Sequence, residues 1–337
     1  MAAPILSVAF ARDYTVTMRP YLLFVSGITG MTGLALAPRL PFAATALLCV
    51  VFFLSYGFGQ ALTDCSQLDT DALSSPYRPL VRGTIHVKDV FRVSLAGMLL
   101  AGGIIVLFNP WTVPLVALSV VGLGTYTHFK RRWWAGPFYN AAIVGMLFLI
   151  GYATGGGDFL LPGIDSADVN GGRLARALPA TLGLAFFGYA NFVLTGYFKD
   201  ISADRETHYA TLPVAFGRRS SALVSDGFAL LAVFCCAFAI VAAATQERIE
   251  PHLFPSGGVA LLAFSGGVLA TVFGQLRLHR VRTDKDAHRA IVPVVHAYLL
   301  LLISVAALHR PGWSAFLVGF YVLFAVAMNG RPERTQI

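Results

Sequence analysis

Long stretches without a charged residue recur along this chain, and they constrain its fold more than any other feature. Ten such stretches occur, at 20–38, 41–63, 93–108, 111–129, 133–154, 177–198, 227–245, 253–276, 290–308 and 312–330. Segments of about 20 apolar residues are long enough to cross a bilayer as helices, which satisfy their own backbone hydrogen bonds in lipid. Only 12% of the residues are charged, about half the share in soluble domains. We predict an all-α, polytopic membrane bundle of nine or ten transmembrane helices, formed by one domain over residues 1–337.

The positive charges predict how this bundle is oriented. With ten helices and the N-terminus inside, 20 of the 25 Lys and Arg residues fall on the inner side. The five on the outer side are Arg39, Arg173, Arg176, Arg248 and Arg310. Because cytoplasmic loops are enriched in Lys and Arg, we expect an integral protein of a bacterial cytoplasmic membrane. The net charge of +8 then suits the lipid bilayer and calls for no nucleic-acid partner.

A first acidic cluster directly follows the stretch 41–63. If the helix continues past the membrane, four side chains share one face, at i, i+4, i+7 and i+11: Gln60, Asp64, Gln67 and Asp71. Carboxylate and amide oxygens are the ligands that Mg²⁺ prefers. Asp69 points elsewhere, and we expect it to be solvated or structural.

A second acidic cluster follows the stretch 177–198 and contains Asp200 and Asp204. Like charges at i and i+4 repel each other on a helix, so a bound cation would relieve a cost. Either cluster alone is compatible with an ordinary solvated loop. Both together, at matched depth on the inner side, predict a seat for divalent metal and a diphosphate.

Cationic and phenolic side chains flank both clusters. Arg78 lies in a proline-stiffened segment, Ser-Pro-Tyr-Arg-Pro, that limits its conformations, and arginine can hold phosphate in a bidentate manner. Tyr126 and Lys130 lie one turn apart at the inner end of the fourth stretch. Lys199 precedes the second cluster and is compatible with diphosphate binding or with a role in topology alone.

These segments carry a resemblance to a known family. Residues 63–83 resemble the first aspartate motif of the UbiA superfamily of intramembrane prenyltransferases, N-D-x-x-D-x-x-x-D followed by R-P and G. Residues 196–217 are similar to the second motif, with its T-L-P-V-x-x-G tail, and Tyr126-x-x-x-Lys130 with Gly136 matches a weaker third signature. The first motif departs from the pattern at Thr63 and Gln67, where the family has Asn and Asp.

The resemblance implies a helical bundle around a central cavity, with Mg²⁺ as cofactor and a prenyl diphosphate as donor. The donor ionises, and an acceptor, for which an aromatic compound is one expected candidate, captures the prenyl group. The implied catalytic residues are Asp64, Asp71, Asp200 and Asp204. Gln67 joins these four as a metal ligand. The implied diphosphate-binding residues are Arg78, Tyr126, Lys130 and Lys199.

Two other functions remain open at the sequence level. The altered first motif is compatible with a membrane terpene cyclase, in which the cation folds on itself without an acceptor. A transporter that uses the acidic pairs as a cation path is more remote. Such paths usually need charged residues in the middle of a transmembrane helix, and none of the predicted helices has one there. Asn140 and Asn191 lie within such stretches, and each is compatible with facing a cavity or with bonding between helices.

Overall fold

The computed structural model describes residues 2–157, 169–244 and 254–331 of the chain. Fourteen α-helices lie in this part: α1 Val8–Met18, α2 Leu23–Leu36, α3 Phe42–Asp64, α4 Leu68–Ser74, α5 Pro79–Arg82, α6 Val87–Phe108, α7 Val113–Lys130, α8 Gly136–Thr154, α9 Val169–Tyr197, α10 Ile201–Glu206, α11 Leu212–Ala244, α12 Phe254–Leu278, α13 His288–His309 and α14 Ser314–Asn329. Short 3₁₀ turns precede several of them, as at Pro20–Leu22 before α2.

Within the described ranges, nine helices are long and apolar enough to cross a membrane. A shorter apolar helical segment, Pro20–Leu36, lies beside them, so the prediction of nine or ten helices is confirmed. Every residue of α2 is buried by neighbouring helices. This segment therefore does not need to present an apolar surface to lipid along a full membrane-spanning length. The predicted outer residues Arg173 and Arg248 have side chains outside the described part of the chain.

The burial of each helix separates the centre of the bundle from its periphery. In α9 and in α13, about 72% of the residues in the apolar 18-residue segment of the helix are buried inside the protein. The share is 22–33% in α3, α6, α7, α11, α12 and α14. Helix α2 packs against α8 so closely that a Cβ added at Gly33 or Gly151 would overlap the facing backbone. Small residues permit such close helix packing in membranes, where dispersion contacts replace the hydrophobic effect.

Both acidic motifs lie at one end of the bundle, which we call the motif end. Here α3 ends at Asp64 and α4 begins at Leu68, so the predicted continuous helix through the first cluster is wrong. Gln67 adopts φ −124° and ψ 22°. A hydrogen bond from Ser66 N–H to the carbonyl of Thr63, three residues earlier, closes a tight turn (3.0 Å). The turn changes the direction of the chain between α3 and α4. With this change of direction, Gln67 and Asp71 line the same cavity as Asp64.

A surface contact joins the loops of the two motifs. Asp69 on α4 accepts hydrogen bonds from Arg131 Nη2 (3.3 Å) and from the Tyr209 hydroxyl (3.2 Å). Beside them the hydroxyls of Thr70 and Thr207 lie 3.1 Å apart. Asp69 therefore has the structural role that was one of its two predicted alternatives, and it fixes α4 against the loop after α10.

Candidate active site

A cavity extends from the motif end into the bundle between α2, α3, α6, α7, α8 and α9. It encloses about 1510 Å³, part of it open to the surroundings. Its lining at the motif end is polar and charged: Arg19, Gln60, Asp64, Gln67, Asp71, Arg78, Lys130, Lys199 and Asp200. Its far end is apolar: Met98, Ile105, Val116, Leu123, Ile143, Leu147 and Ile150. Along α7, Lys130 and Val116 are separated by about 21 Å at 1.5 Å per residue, so the cavity has a charged mouth and a deep apolar interior.

Arginines neutralise the first motif. Asp64, 3% exposed, accepts from Arg19 Nη2 at 3.0 Å with both carboxylate oxygens and from Gln60 Nε2 at 2.6 Å. Arg78 forms an ion pair with Asp71 and lies 3.7 Å from Asp64. Arg78 has an extended backbone conformation (φ −64°, ψ 141°), and Pro79 opens the short helix α5 directly after it.

The second motif is less completely satisfied. Asp200 Oδ1 lies 3.8 Å from Lys199 Nζ, and Asp204 Oδ1 lies 3.6 Å from Lys130 Nζ. Neither oxygen has a hydrogen-bond partner in the described part of the chain, although both are buried. The other oxygen of Asp204 accepts from the Thr211 hydroxyl at 3.1 Å, which ties it to the threonine of the T-L-P-V tail. Asp204 is fully buried and is not among the described residues that line the cavity.

Lys130 joins the two motifs. Its Nζ donates to Gln67 Oε1 at 3.1 Å and lies 3.6 Å from Asp204. The ammonium also lies 5.7 Å from the ring centre of Tyr197 and 5.3 Å from that of Tyr209, distances at which the ring faces attract a cation. The Tyr126 hydroxyl is 3.2 Å from the Tyr197 hydroxyl, one turn deeper. The site residues predicted from three separate parts of the chain are thus neighbours.

The mouth is close to formal neutrality. Four carboxylates (Asp64, Asp71, Asp200 and Asp204) lie among four cations (Arg19, Arg78, Lys130 and Lys199). An aspartate at position 67 would have added a fifth negative charge. Gln67 keeps the oxygen that Lys130 contacts and avoids that charge.

Burial shifts the pKa values of three groups at the mouth. Desolvation raises the pKa of Asp204 to about 6, although Lys130 opposes the shift. Desolvation also lowers the pKa of Lys199 to about 8, and the nearby Arg78 adds to the effect. For Asp200 burial favours the neutral form, but Lys199, Lys130 and Arg78 outweigh it and hold its pKa below the usual range.

The donor set of the second motif fits a divalent cation. Within the described ranges, no three His, Cys, Asp or Glu side chains converge closely enough to hold a metal by themselves. Asp200 and Asp204 nevertheless each offer one buried carboxylate oxygen that accepts no hydrogen bond. Such oxygens are suitable ligands for a hard cation. A buried acceptor left unpaired costs free energy, and a bound cation would remove that cost.

Aromatic side chains from α3, α7 and α9 form what we call the aromatic wall of the cavity. Its rings belong to Tyr56, Tyr126, Tyr189, Phe192 and Tyr197, all of which line the cavity. Ring faces carry negative partial charge and stabilise cations that lie over them. The wall therefore lies where positive charge would develop if a diphosphate left from the mouth.

One contributor was missed by the sequence, and the roles of two others were left open. Arg19 was counted only as an inner topological charge, yet it is 7% exposed and binds Asp64 from a left-handed backbone position (φ 54°). Asn191 bonds between helices, accepting from Ser225 on α11 (2.5 Å) and Gln275 on α12 (2.8 Å). Asn140 instead lines the cavity.

Comparison with known proteins agrees with this geometry. The UbiA prenyltransferase family matches residues 26–291. A digeranylgeranylglyceryl phosphate synthase of Natronomonas pharaonis is 29% identical over 62% of this chain and 67% of its own length. One of Thermococcus kodakarensis is 28% identical over 85% of this chain and 94% of its own. A UbiA homologue from Archaeoglobus fulgidus, solved bound to DMAPP and Mg²⁺, shares the fold with a TM-score of 0.63 at 17% identity, over 88% of this chain and 98% of its own.

Proposed function

This chain belongs to the UbiA prenyltransferase family, and we propose that its cavity transfers the prenyl group of a prenyl diphosphate to a lipid-like acceptor. The observation that supports this most is the cavity itself, with carboxylates and cations at the mouth above an apolar interior. A diphosphate needs the charged mouth, and a prenyl tail needs the apolar interior. We further propose that residues 1–337 act as one domain, because both motifs and the third signature line or adjoin the same cavity.

Mg²⁺ is the proposed cofactor. Its ligands would be Asp64, Gln67, Asp71, Asp200 and Asp204, with the unpartnered oxygens of the second motif as the strongest argument. Bound Mg²⁺ would offset the charge of the diphosphate and make it a better leaving group. The Archaeoglobus homologue, which shares this fold, was solved with Mg²⁺ and DMAPP bound together.

The cations at the mouth are the proposed diphosphate ligands: Arg19, Arg78, Lys130 and Lys199. Their side chains are only 6–14% exposed, which makes their charge far less screened than at a surface. They stabilise the negative charge that grows as the carbon–oxygen bond breaks. Tyr126, through its contact with Tyr197, helps to fix the floor of this mouth.

The aromatic wall and the apolar interior complete the proposed mechanism. The prenyl tail lies along Met98, Val116 and Leu147 on three helices, where apolar side chains keep water from the cation. The rings of Tyr126, Tyr189 and Tyr197 face the developing positive charge. The allylic carbon–oxygen bond breaks and its electron pair goes to the diphosphate. The acceptor nucleophile then bonds to the allylic cation, and its proton passes to the released diphosphate.

For the acceptor we propose a glycerol phosphate lipid rather than the aromatic compound expected from the sequence. The relatives from Natronomonas and Thermococcus are named digeranylgeranylglyceryl phosphate synthases. Four cations around the mouth can also accommodate a second phosphate. A cyclase remains the second candidate, because the aromatic wall would equally shelter a cation that folds on itself.

We propose that the motif end faces the cytoplasm. The motif end collects most of the basic residues, such as Arg78, Lys130 and Arg218, whereas Arg39 and Arg310 lie at the other end. This distribution follows the positive-inside rule. A cytoplasmic mouth would also receive diphosphates and Mg²⁺ directly.

One incubation tests the function. Purified protein in detergent receives Mg²⁺ and geranyl, farnesyl or geranylgeranyl diphosphate, with or without a geranylgeranylglyceryl phosphate acceptor. We expect Mg²⁺-dependent diphosphate release and an ether-linked product only when the acceptor is present. A cyclic hydrocarbon or terpene alcohol without acceptor would favour the cyclase, and no diphosphate release with any donor would refute both.

A further inference from the structure

The second motif begins helix α10 in an unusual way. The first backbone N–H groups of a helix lack partners within the helix, and an aspartate at the N-cap position ordinarily accepts from the second or third of them. Asp200 holds the N-cap position of α10 but makes no side-chain cap hydrogen bond. Its carboxylate lines the cavity instead.

The acceptor for this helix comes from a distant part of the chain. Asp284, in the 3₁₀ turn Asp284–Asp286 before α13, accepts from the backbone N–H of Ser202 at 2.7 Å with Oδ2. Ser202 is the second residue of α10, so this is one of the donors that Asp200 would otherwise take. The Asp284 side chain is 19% exposed, whereas Ser202 lies at the surface, so the bond is at the protein–water boundary.

Arg218 fixes Asp284 in turn. Its Nη2 donates to Asp284 Oδ1 at 2.6 Å. Arg218 follows Gly217, whose φ of 79° and ψ of 168° break α11 and require glycine. Asp284 thus links the start of α10 and the end of the second motif's tail to the loop that enters α13.

We propose that Asp284 is a positioning residue for the second motif: by capping α10 from outside, it leaves the Asp200 carboxylate free to face the cavity and bind metal. This inference rests on the proposed function, because it assigns Asp200 to the metal. Without Asp284, the Asp200 carboxylate at the N-cap position is free to take the Ser202 N–H and turn toward the helix. Loss of Asp284 then lowers the affinity for metal and leaves the rate of the chemical step at saturating metal largely unchanged.

Direct metal binding tests the proposal without turnover. Mn²⁺ is titrated into protein with a non-ionisable prenyl diphosphate analogue, and the free-ion EPR signal gives the dissociation constant. We expect Asp284→Ala to weaken Mn²⁺ binding about tenfold, the lower end of what losing a residue behind a metal ligand costs. In turnover, the Mg²⁺ concentration for half-maximal rate should rise by a similar factor, while the rate at saturating Mg²⁺ recovers most of the wild-type value.

Three variants serve as comparisons. Asp284→Asn keeps an acceptor oxygen and should bind Mn²⁺ nearly as wild type. Asp286→Ala removes the same charge two residues away, where the carboxylate contacts Thr283 and Arg289, and should leave Mn²⁺ affinity unchanged. Asp284→Ser, too short to reach Ser202, repeats the truncation if the alanine variant does not fold.

The outcomes separate cleanly. Equal Mn²⁺ affinity in Asp284→Ala and Asp286→Ala, or equal loss in both, would overturn the positioning role. A rate at saturating Mg²⁺ that stays as low as that of Asp200→Ala would overturn it too. If wild-type protein binds Mn²⁺ but releases no diphosphate from any donor, the proposed function fails while the positioning role stands or falls on the affinities alone.

Discussion

The two acidic motifs lie at the same end of the bundle but differ in how their carboxylates are paired. In the first motif, Asp64 holds Arg19 and Gln60, and Asp71 holds Arg78. In the second, one oxygen each of Asp200 and Asp204 has no hydrogen-bond donor within the described residues. The first motif is therefore hydrogen-bonded to arginine, whereas the second is paired with Lys199 and Lys130 only at 3.6–3.8 Å and keeps two oxygens without a hydrogen bond. We infer that metal enters at the second motif and that the first motif mainly positions the arginines that hold the diphosphate.

The largest predicted effect separates the two motifs by their need for metal. Asp200→Asn should lower the rate of diphosphate release about 10³-fold, the size of losing a key stabiliser of transition-state charge, and should abolish Mn²⁺ binding seen by EPR. Asp64→Asn should retain measurable Mn²⁺ binding because the second motif is intact. Asp69→Asn, which alters only the surface contact with Arg131 and Tyr209, is the control. Equal loss of Mn²⁺ in the Asp200 and Asp64 variants would contradict the division of roles.

The next effect concerns the stability of the first motif. Arg19→Leu leaves Asp64 buried with Gln60 and the more distant Arg78, and we expect a loss of about 3 kcal/mol in the free energy of unfolding, the lower end for breaking a buried ion pair. The double variant Arg19→Leu/Asp64→Leu should regain most of that loss, since no unpaired charge remains. Thermal unfolding in detergent measures both. A single variant as stable as wild type would show that the pair is not what neutralises this motif.

The smallest effect tests the altered position of the first motif. Gln67→Asp restores the family's carboxylate next to Lys130 and makes the mouth net negative. We expect the Mg²⁺ concentration for half-maximal rate to fall about threefold, which corresponds to about 0.7 kcal/mol. Gln67→Glu tests reach, because it adds the same charge but keeps the oxygen at the length of the native glutamine, one methylene beyond that of aspartate. An increase in the required Mg²⁺ would contradict the view that charge limits metal binding at this motif.

Much of the site could be predicted from sequence because its residues cluster along the chain. The uncharged stretches predict the helices, and the pairs Asp64 with Asp71 and Asp200 with Asp204 each lie within one short segment beside Arg78 or Lys199. Tyr126 and Lys130 are one helical turn apart, so their common direction also follows from spacing. These predictions needed only local geometry and a common membrane depth.

The rest depended on contacts between distant segments. Arg19 and Asp284 look in the sequence like ordinary loop charges, and only the packing of α1 against α3 and of the turn before α13 against α10 gives them partners. The turn at Cys65–Gln67 was missed because it contains neither Gly nor Pro, the usual signals of a helix end. Its cause is tertiary: the chain must bend for Gln67 to reach Lys130 from α7.

Anomalous diffraction from crystals grown with Mn²⁺ and a non-ionisable prenyl diphosphate analogue tests the central claim most directly. We predict manganese within bonding distance of Asp200 or Asp204, the diphosphate between that ion and Arg19, Arg78 and Lys130, and the prenyl tail along α6, α7 and α8. Manganese bound away from both motifs, or a diphosphate outside the cavity mouth, would contradict the account.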